Sequence, residues 1–501
     1  MKNTVKKFPE ALGELLEISD ISTANIIAIH EHFGVNNINE CSTIVNSGQL
    51  ADLKGFNAIK VENIRRALKL AKENHFQLWE ALLAGEEMLR AVKQFPEVEK
   101  AALTGSLRRK KDTVGDIDML LQVKSSLRKH LVYKLTRLPV VSRVIAEGRD
   151  RVSLLLKNHM QVDIRLTDQK RYAAALLYYT GPVWYNKWLE NQAREKGFLF
   201  SATGLSDLKS GKNIAVEAEE DIYGQLKMAY RDPELREDEE SIITAAKYSL
   251  SSLPTFGEIK GDMQVHSNWG DGEESIEHIA HYVLHVFPHY QYIVITDHAS
   301  NEKTTGALHP ENFSRQHQEI DRLNNQLGFN FIKRGIEVDI LEDGSLSLTD
   351  EQLAQFDWVI ASIHSRFSHD NTSRLVKACQ NPYVHCIGHP SGRLIGKRIP
   401  SPVNWNEVFE QAATTGTAME INARPNRLDL NDRLVKAAIK KGVKLVIDTD
   451  AHTLPHFDFM QLGVWVARRA ACNKHDILNT GTWEVIEQFK KNKIKLLKKD
   501  N

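Results

Sequence analysis

The sequence is poor in cysteine, has no long apolar run and carries no net charge. Its 501 residues include four cysteines, none in a C-x-x-C pair. That excludes a disulfide framework and fits a reducing compartment. No stretch of about 18 apolar residues occurs, so no transmembrane helix is expected. The opening "MKNTVKKFPEALGELLEI" lacks an apolar core followed by small residues, so no signal peptide is expected either, and the location read from these absences is cytoplasmic. Basic and acidic side chains number 65 each, so global charge says nothing for or against nucleic acid; only its distribution can. The rest is ordinary globular composition, 42% hydrophobic and 26% charged, and the length suggests about three domains. Histidine is the exception: there are 20, and they crowd the second half of the chain.

Residues 1–85 read as short helices. "ALGELLEI", "STANIIAIHEHFG" and "AIKVENIRRALKLAKENH" place apolar residues at helical spacing, with Gly34 as a C-terminal stop. Residues 86–165 read as α/β, with strand-like "VGDIDMLLQV" and "HMQVDIRL", and 166–235 as mostly helical. The charged, then Ser- and Pro-containing stretch 236–258 reads as a linker. From 259 to 501 a strand–helix repetition follows.

In that last region apolar strands end again and again in a metal-binding type of residue. "DMQVHSNWGDG" carries His266 and Asp271, "YIVITDH" His298, and "GIEVDI" Glu337. "WVIASIH" ends in His364, "VHCIGH" in His389, "TAMEIN" in Glu420 and Asn422, and "KLVIDTDAH" in Asp450 and His452. The spacing, roughly 25 to 40 residues, is that of one strand–helix repeat. Functional groups of a (β/α) barrel gather at the carboxyl ends of its strands, so these side chains are expected on one rim. Imidazole with carboxylate suits zinc, manganese or iron. So many ligands exceed one ion's needs and imply two or three metals. Such clusters activate water and clamp phosphoryl oxygens, which makes metal-assisted phosphoester hydrolysis the expected reaction.

These stretches, with "IGHPSGRLIGKR" and "MEINARPNRLDLNDRLVKAAIKKGVKLVIDTDAH", resemble the polymerase-and-histidinol-phosphatase (PHP) domain. The variety they resemble is the one fused to bacterial and archaeal family X DNA polymerases. The resemblance implies a distorted (β/α)7 barrel with a trinuclear centre. It assigns His266, Glu337 and Asp450 to one metal, and Glu337, His364 and His389 to a second. Asp271, His298 and His452 fall to a third. Gln264 stands where the family pattern has His, and an amide oxygen is the weaker ligand. Arg393, Lys397, Arg398 and Arg424 lie in loops near the ligands, as candidates to bind a phosphate backbone or as solvated charges.

Residues 104–120, "TGSLRRKKDTVGDIDML", hold a second constellation. Asp116 and Asp118 alternate along a strand, so their carboxylates share a face and repel unless a divalent cation joins them. Asp163 in "HMQVDIRL" is a third carboxylate on another alternating strand. Mg²⁺ is usually held this way, with substrate phosphates completing its shell. Gly105 and Ser106 can present N–H groups to a triphosphate, and Arg108 and Arg109 can neutralise it. The stretch resembles the nucleotidyltransferase palm of family X DNA polymerases. "LLYYTGPVWYNKWLENQAREKGF" resembles their thumb, with Asn186 at a position that touches the incoming nucleotide. Residues 15–34 and 50–68 resemble two helix-hairpin-helix motifs, or are simply a small helical unit. Asp20 and Ser22 replace the usual glycines of the first copy, while the second keeps Gly55 and has Asn57.

Two further features depart from the resemblance. Pro182 follows Thr-Gly in place of Ser, and Glu190 replaces an Arg that faces the template strand. A small N-terminal domain of about 8 kDa is also expected to be absent. The expected whole is a DNA-repair enzyme with two chemistries: polymerase in the front half and 3′–5′ exonuclease, or abasic-site endonuclease, in the back. It would be a monomer using DNA ends, gaps and dNTPs. The alternatives are a nuclease whose polymerase half only binds DNA, and a small-molecule phosphatase.

Overall fold

In the computed structural model the described residues are 21, 23–35, 38–57, 60–62, 64–65, 68, 75–238, 250–299 and 306–498. They form two compact units, Met1–Ile242 and Ile243–Asn501. In the first, α1 (Thr23–Phe33) and α2 (Ile38–Asn46) bury Ile26, Ile29 and Val45 against Leu50, Phe56, Ile64 and Leu68. Gly55 has φ +91°, and Asn57 Oδ1 accepts the Lys60 N–H at 2.8 Å, so the second hairpin-like turn is a capped helix start. Asp20 and Ser22 of the first copy lie outside the described residues.

The long helix α3 (Leu78–Lys93) leads into a five-stranded mixed sheet. Its strands are β1 (Lys100–Leu103), β2 (Ile117–Gln122), β3 (Val141–Glu147), β4 (Arg151–Leu156) and β5 (Gln161–Thr167), in the order β1-β2-β5-β4-β3. Only the central β2–β5 pair is parallel, and it sets Asp118 directly opposite Asp163. The one-turn helix α4 (Gly105–Arg108) follows β1. Beyond the sheet, α5 (Gln169–Thr180), α6 (Val183–Glu195), a three-stranded antiparallel sheet and α7 (Glu219–Gln225) pack around Leu177, Tyr185, Leu189 and Tyr223.

The second unit is the expected (β/α)7 barrel. Its strands are β6 (Gly261–Val265), β7 (Tyr292–Ile295), β8 (Ile332–Asp339), β9 (Trp358–Ser362), β10 (Cys386–Gly388), β11 (Ala418–Asn422) and β12 (Leu445–Asp448). All pair in parallel, in chain order. Six of them are buried at every residue along their length, as strands covered on both faces must be. Intervening helices include α8 (Ile276–Val286), α9 (Phe313–Leu327), α10 (Thr372–Gln380), α11 (Trp405–Thr415) and α12 (Asp432–Lys440). Ser275 caps α8, Asn431 caps α12, and Gly328 and Gly416 end α9 and α11 at φ +80° and +69°.

The seam between β6 and β12 is thin, a single bridge from Val265 to Ala451. Side chains stitch it instead. The Asn479 amide donates to Gly261 O at 2.9 Å and Ile447 O at 2.5 Å, and its oxygen accepts the Ile447 N–H at 3.1 Å. Asp262 accepts Thr449 N–H and O–H at 3.2 and 2.5 Å. Among the described residues, no helix is long and apolar enough to cross a membrane.

Candidate active sites

Seven strands running the same way deliver their carboxyl ends to one mouth, and the expected ligands converge there. Glu337 on β8 is central and 1% exposed. Its Oε2 lies 3.4 Å from His266 Nε2 and 3.4 Å from His298 Nδ1. Its Oε1 lies 3.2 Å from His389 Nε2 and 3.5 Å from His364 Nε2. Asp450 Oδ1 is 3.2 Å from His266 Nε2. Asp271 Oδ2 is 3.3 Å from His452 Nε2 and 3.9 Å from His298 Nε2. Three groups of donor atoms result: His266–Glu337–Asp450, His298–Glu337–His364, and His266–Asp271–His298–His452. His298 thus joins two groups, and His389 approaches the second through Glu337.

These atoms face one another without completing ordinary hydrogen bonds. Glu337 Oε1, both ring nitrogens of His266 and His389 Nδ1 are buried and have no hydrogen-bond partner among the described residues. Buried polar atoms are rarely left so. Donors about 2.1 Å from one shared ion would stand roughly 3.0–3.4 Å apart, the spacing of the closer pairs here. The donor set therefore fits divalent metals. Gln264, fully buried, donates its amide N–H to Glu337 Oε2 at 2.8 Å and leaves its own oxygen unpaired.

Electrostatics prepares the same residues. Burial tends to raise the Glu337 carboxyl, but the imidazoles of His298, His389 and His364 outweigh it and hold the group well below its usual range. For Asp450 burial is likewise overcome by His266 and Arg424. Asp271, opposed by burial and favoured by His452, falls to about 2. Burial lowers His389 to about 4 and also lowers His266, which keeps both rings neutral with lone pairs available.

Sequence reasoning missed two neighbours of the cluster. Asp339 stands two residues beyond Glu337 on β8 and accepts His364 Nδ1–H at 2.6 Å, turning the other ring nitrogen to Glu337. The signal was present as Glu-x-Asp on one strand. Arg427 lies 3.6 Å from Asp450 Oδ2. Arg424 reaches the same oxygen at 3.7 Å. The other basic candidates are turned elsewhere: Arg393 donates to Leu428 O, and Arg398 donates to Gly392 O at 2.7 Å while stacking 3.4 Å over Phe367. Lys397 is exposed.

In the first unit Asp116, Asp118 and Asp163 form a fourth donor group. Burial first, then the charge of Asp116, pushes Asp118 up to about 7. Asp163 Oδ2 accepts from Arg151 at 2.7 Å, while its buried Oδ1 has no hydrogen-bond partner among the described residues. That open oxygen beside a strained acid pair fits a divalent cation. Gly105, at φ +60°, is required here: a Cβ would come within 2.4 Å of Asp118 Oδ2. Ser106 is half-buried next to it. Arg108 grips Glu219 with bonds of 2.9 and 2.7 Å, and Arg109 pairs with Glu237 at 2.6 Å and donates to Thr180 O at 2.8 Å. Guanidiniums drawn out of water, Arg109 fully and Arg108 partly, take carboxylate partners, and both acids lie more than 100 residues away, beyond the reach of a local pattern. Asn186 donates to Tyr178 O at 2.8 Å and leaves its buried oxygen unpaired. Pro182 caps α6.

A parallel barrel with a His/carboxylate mouth, and a mixed sheet with three gathered aspartates, are the two candidate centres, and both suit the class of metal-dependent phosphoryl-transfer proteins. Comparison with known proteins narrows the class. The family model for the DNA polymerase beta thumb matches residues 175–237. A DNA polymerase/3′–5′ exonuclease PolX of Bacillus subtilis (strain 168) is 34% identical, over 98% of this chain and 86% of the relative. A probable phosphatase of Thermoanaerobacter sp. (strain X514) is 29% identical over 41% of this chain and 84% of its own length. Among solved structures, a Leishmania infantum polymerase beta in a ternary P/T complex is 20% identical, covering 45% of this chain and 98% of that one, with a TM-score of 0.31. The chain belongs to the PolX family of DNA polymerase/3′–5′ exonucleases. Membership in this family implies divalent metals.

Proposed function

We propose that the barrel mouth removes nucleotides from DNA 3′ ends and that the Asp116–Asp118–Asp163 site adds them, in a monomeric, cytoplasmic repair enzyme acting on gapped, recessed or single-stranded ends. The observation that carries the first half is the ring of unpaired, buried donor atoms around Glu337. Zinc, manganese or iron would be held by His266, Asp271, His298, Glu337, His364, His389, Asp450 and His452. Such cations polarise phosphoryl oxygens and acidify an attacking water. The chain's own residues supply the rest. Glu337 and Asp450 stay ionised, Asp339 fixes the tautomer and direction of His364, and Gln264 steadies Glu337 through its amide N–H. Arg424 and Arg427 offer guanidiniums to the phosphate flanking the scissile bond.

In the first unit Asp116, Asp118 and Asp163 would hold Mg²⁺ with the phosphates of a dNTP, Gly105 and Ser106 would border them, and Asn186 would meet the nucleotide. A second reading keeps the nuclease and leaves the front half as a DNA-binding platform. Glu190 favours it, since an acid where the family pattern has Arg repels the phosphate backbone. Primer extension on gapped DNA with Mg²⁺ or Mn²⁺ separates the two. Extension by the native chain that is lost in Asp116→Ala supports the first reading; no extension by either supports the second.

A further inference from the structure

We propose that Trp269 is the platform on which the terminal nucleobase of the DNA strand stacks while its phosphate is cleaved. This rests on the exonuclease reading and deepens it, because it names what makes the barrel mouth a site for nucleic acid rather than for any phosphoester.

The argument starts from the loop after β6. Its residues His266 and Asp271 both enter the donor cluster, so the loop borders the site from either side of Trp269. The loop is wound tightly. Gly270 and Gly272 N–H groups both donate to Ser267 O at 3.0 Å, and Asn268 N–H donates to Glu274 O at 2.8 Å. It has no room to relax: a Cβ on Gly272 would lie 2.3 Å from His266 O. The Trp269 N–H donates to Ser267 Oγ at 3.2 Å, and Ser267 itself bonds Asp297, next to His298. Trp269 is therefore held on a rigid turn.

Its ring is not a core residue. Trp269 is half-buried, between exposed Asn268 and half-buried Gly270. The indole N–H donates to Glu319 on α9 at 2.7 Å, which fixes the ring's edge and plane. One turn earlier on α9, exposed Arg315 sets its guanidinium 5.7 Å from the ring centroid. The same helix reaches the floor of the site, where Gln316 donates to Asp297 at 2.7 Å. A partly open indole of fixed orientation, with a solvent-facing cation over it and on the loop that frames the cluster, is a base-stacking surface with a phosphate partner close by. Every base has a π-face, so such a platform does not select sequence.

The test uses the full chain with Mn²⁺ and two 5′-labelled single-stranded oligonucleotides. They are identical except that one ends in a normal nucleotide and the other in an abasic 3′ residue. Base–aromatic stacking is worth enough that Trp269→Ala should lower kcat/KM on the normal end about 10- to 100-fold. On the abasic end, which has no base to stack, the change should stay within about 2-fold. Trp269→Phe should keep most of the preference for the normal end, and metal content should match the native chain in all variants. Equal losses on both ends would overturn the stacking role, assigning Trp269 to loop structure, and leave the exonuclease reading standing. No loss on either end would overturn it too. A native chain that binds metal but degrades neither end would sink the exonuclease reading, and the platform with it.

Discussion

Asp118 in the front unit and Glu337 in the barrel are both carboxylates among other ligands, yet they are pushed in opposite directions. Asp118 is the less buried of the two and rises to about 7, while Glu337, only 1% exposed, is held well below its usual range. Burial opposes ionisation in both places. The difference is the company. Asp118 faces Asp116 and Asp163, whereas Glu337 is ringed by His266, His298, His364 and His389. Acids gathered with acids are strained until a cation arrives, while acids interleaved with imidazoles are ready beforehand. The front site should therefore lean on its metal for stability as well as for chemistry, and the barrel should not.

The largest effects should come from removing the shared acids. Glu337→Gln takes one oxygen from two donor groups, and the loss of several kcal/mol of transition-state stabilisation corresponds to roughly 10²- to 10⁴-fold in exonuclease rate. Primer extension should be unchanged, which a single time course on labelled primer, with and without dNTPs, reads out. Asp163→Asn should do the reverse by a similar factor, sparing the exonuclease. An effect of either variant on both activities would break the separation of the two centres.

Next in size is Asp339→Asn. The orienting bond to His364 weakens while the ligand itself stays, so exonuclease activity or metal affinity should fall about 10- to 100-fold. Titration of metal into the stripped protein would show whether affinity carries the loss. This residue also marks how far sequence reaches. The gathering of strand-end imidazoles and acids at one mouth was legible because a parallel barrel converts a strand–helix repeat of roughly constant length into one convergent rim. The gathering of Asp118 with Asp163 was legible because alternation on a strand fixes a face, while Asp116 joins them from the residue just before β2. Asp339 obeys the same alternation, but an acid two residues beyond a ligand reads equally well as a solvated strand end. Arg108 and Arg109 have partners that the sequence did not show. Their partners Glu219 and Glu237 are joined to them only by the tertiary fold, which no local pattern encodes. The stitching of the β6–β12 seam by Asn479 was invisible on the same grounds.

The smallest predicted effect sharpens the electrostatic contrast. The folded value of Asp118, about 7, lies above its ordinary 3.8. Its contribution to stability is thus present at low pH and lost as pH rises from about 4 through 7. In EDTA at pH 7.5, Asp118→Asn should stabilise the front unit by about 2 kcal/mol, after allowance for partial exposure, and should be close to neutral at pH 4. Thermal melts at the two pH values would check it. A destabilised variant at pH 7.5 would show that the acid pair is not strained.

The most direct test of two separate centres is one 5′-labelled, 3′-recessed duplex incubated with Mn²⁺, with and without dNTPs, using the native chain, Glu337→Gln and Asp163→Asn. The native chain should shorten the primer without dNTPs and lengthen it with them, Glu337→Gln should only lengthen it, and Asp163→Asn should only shorten it. Primer shortening that survives Glu337→Gln undiminished would contradict the account.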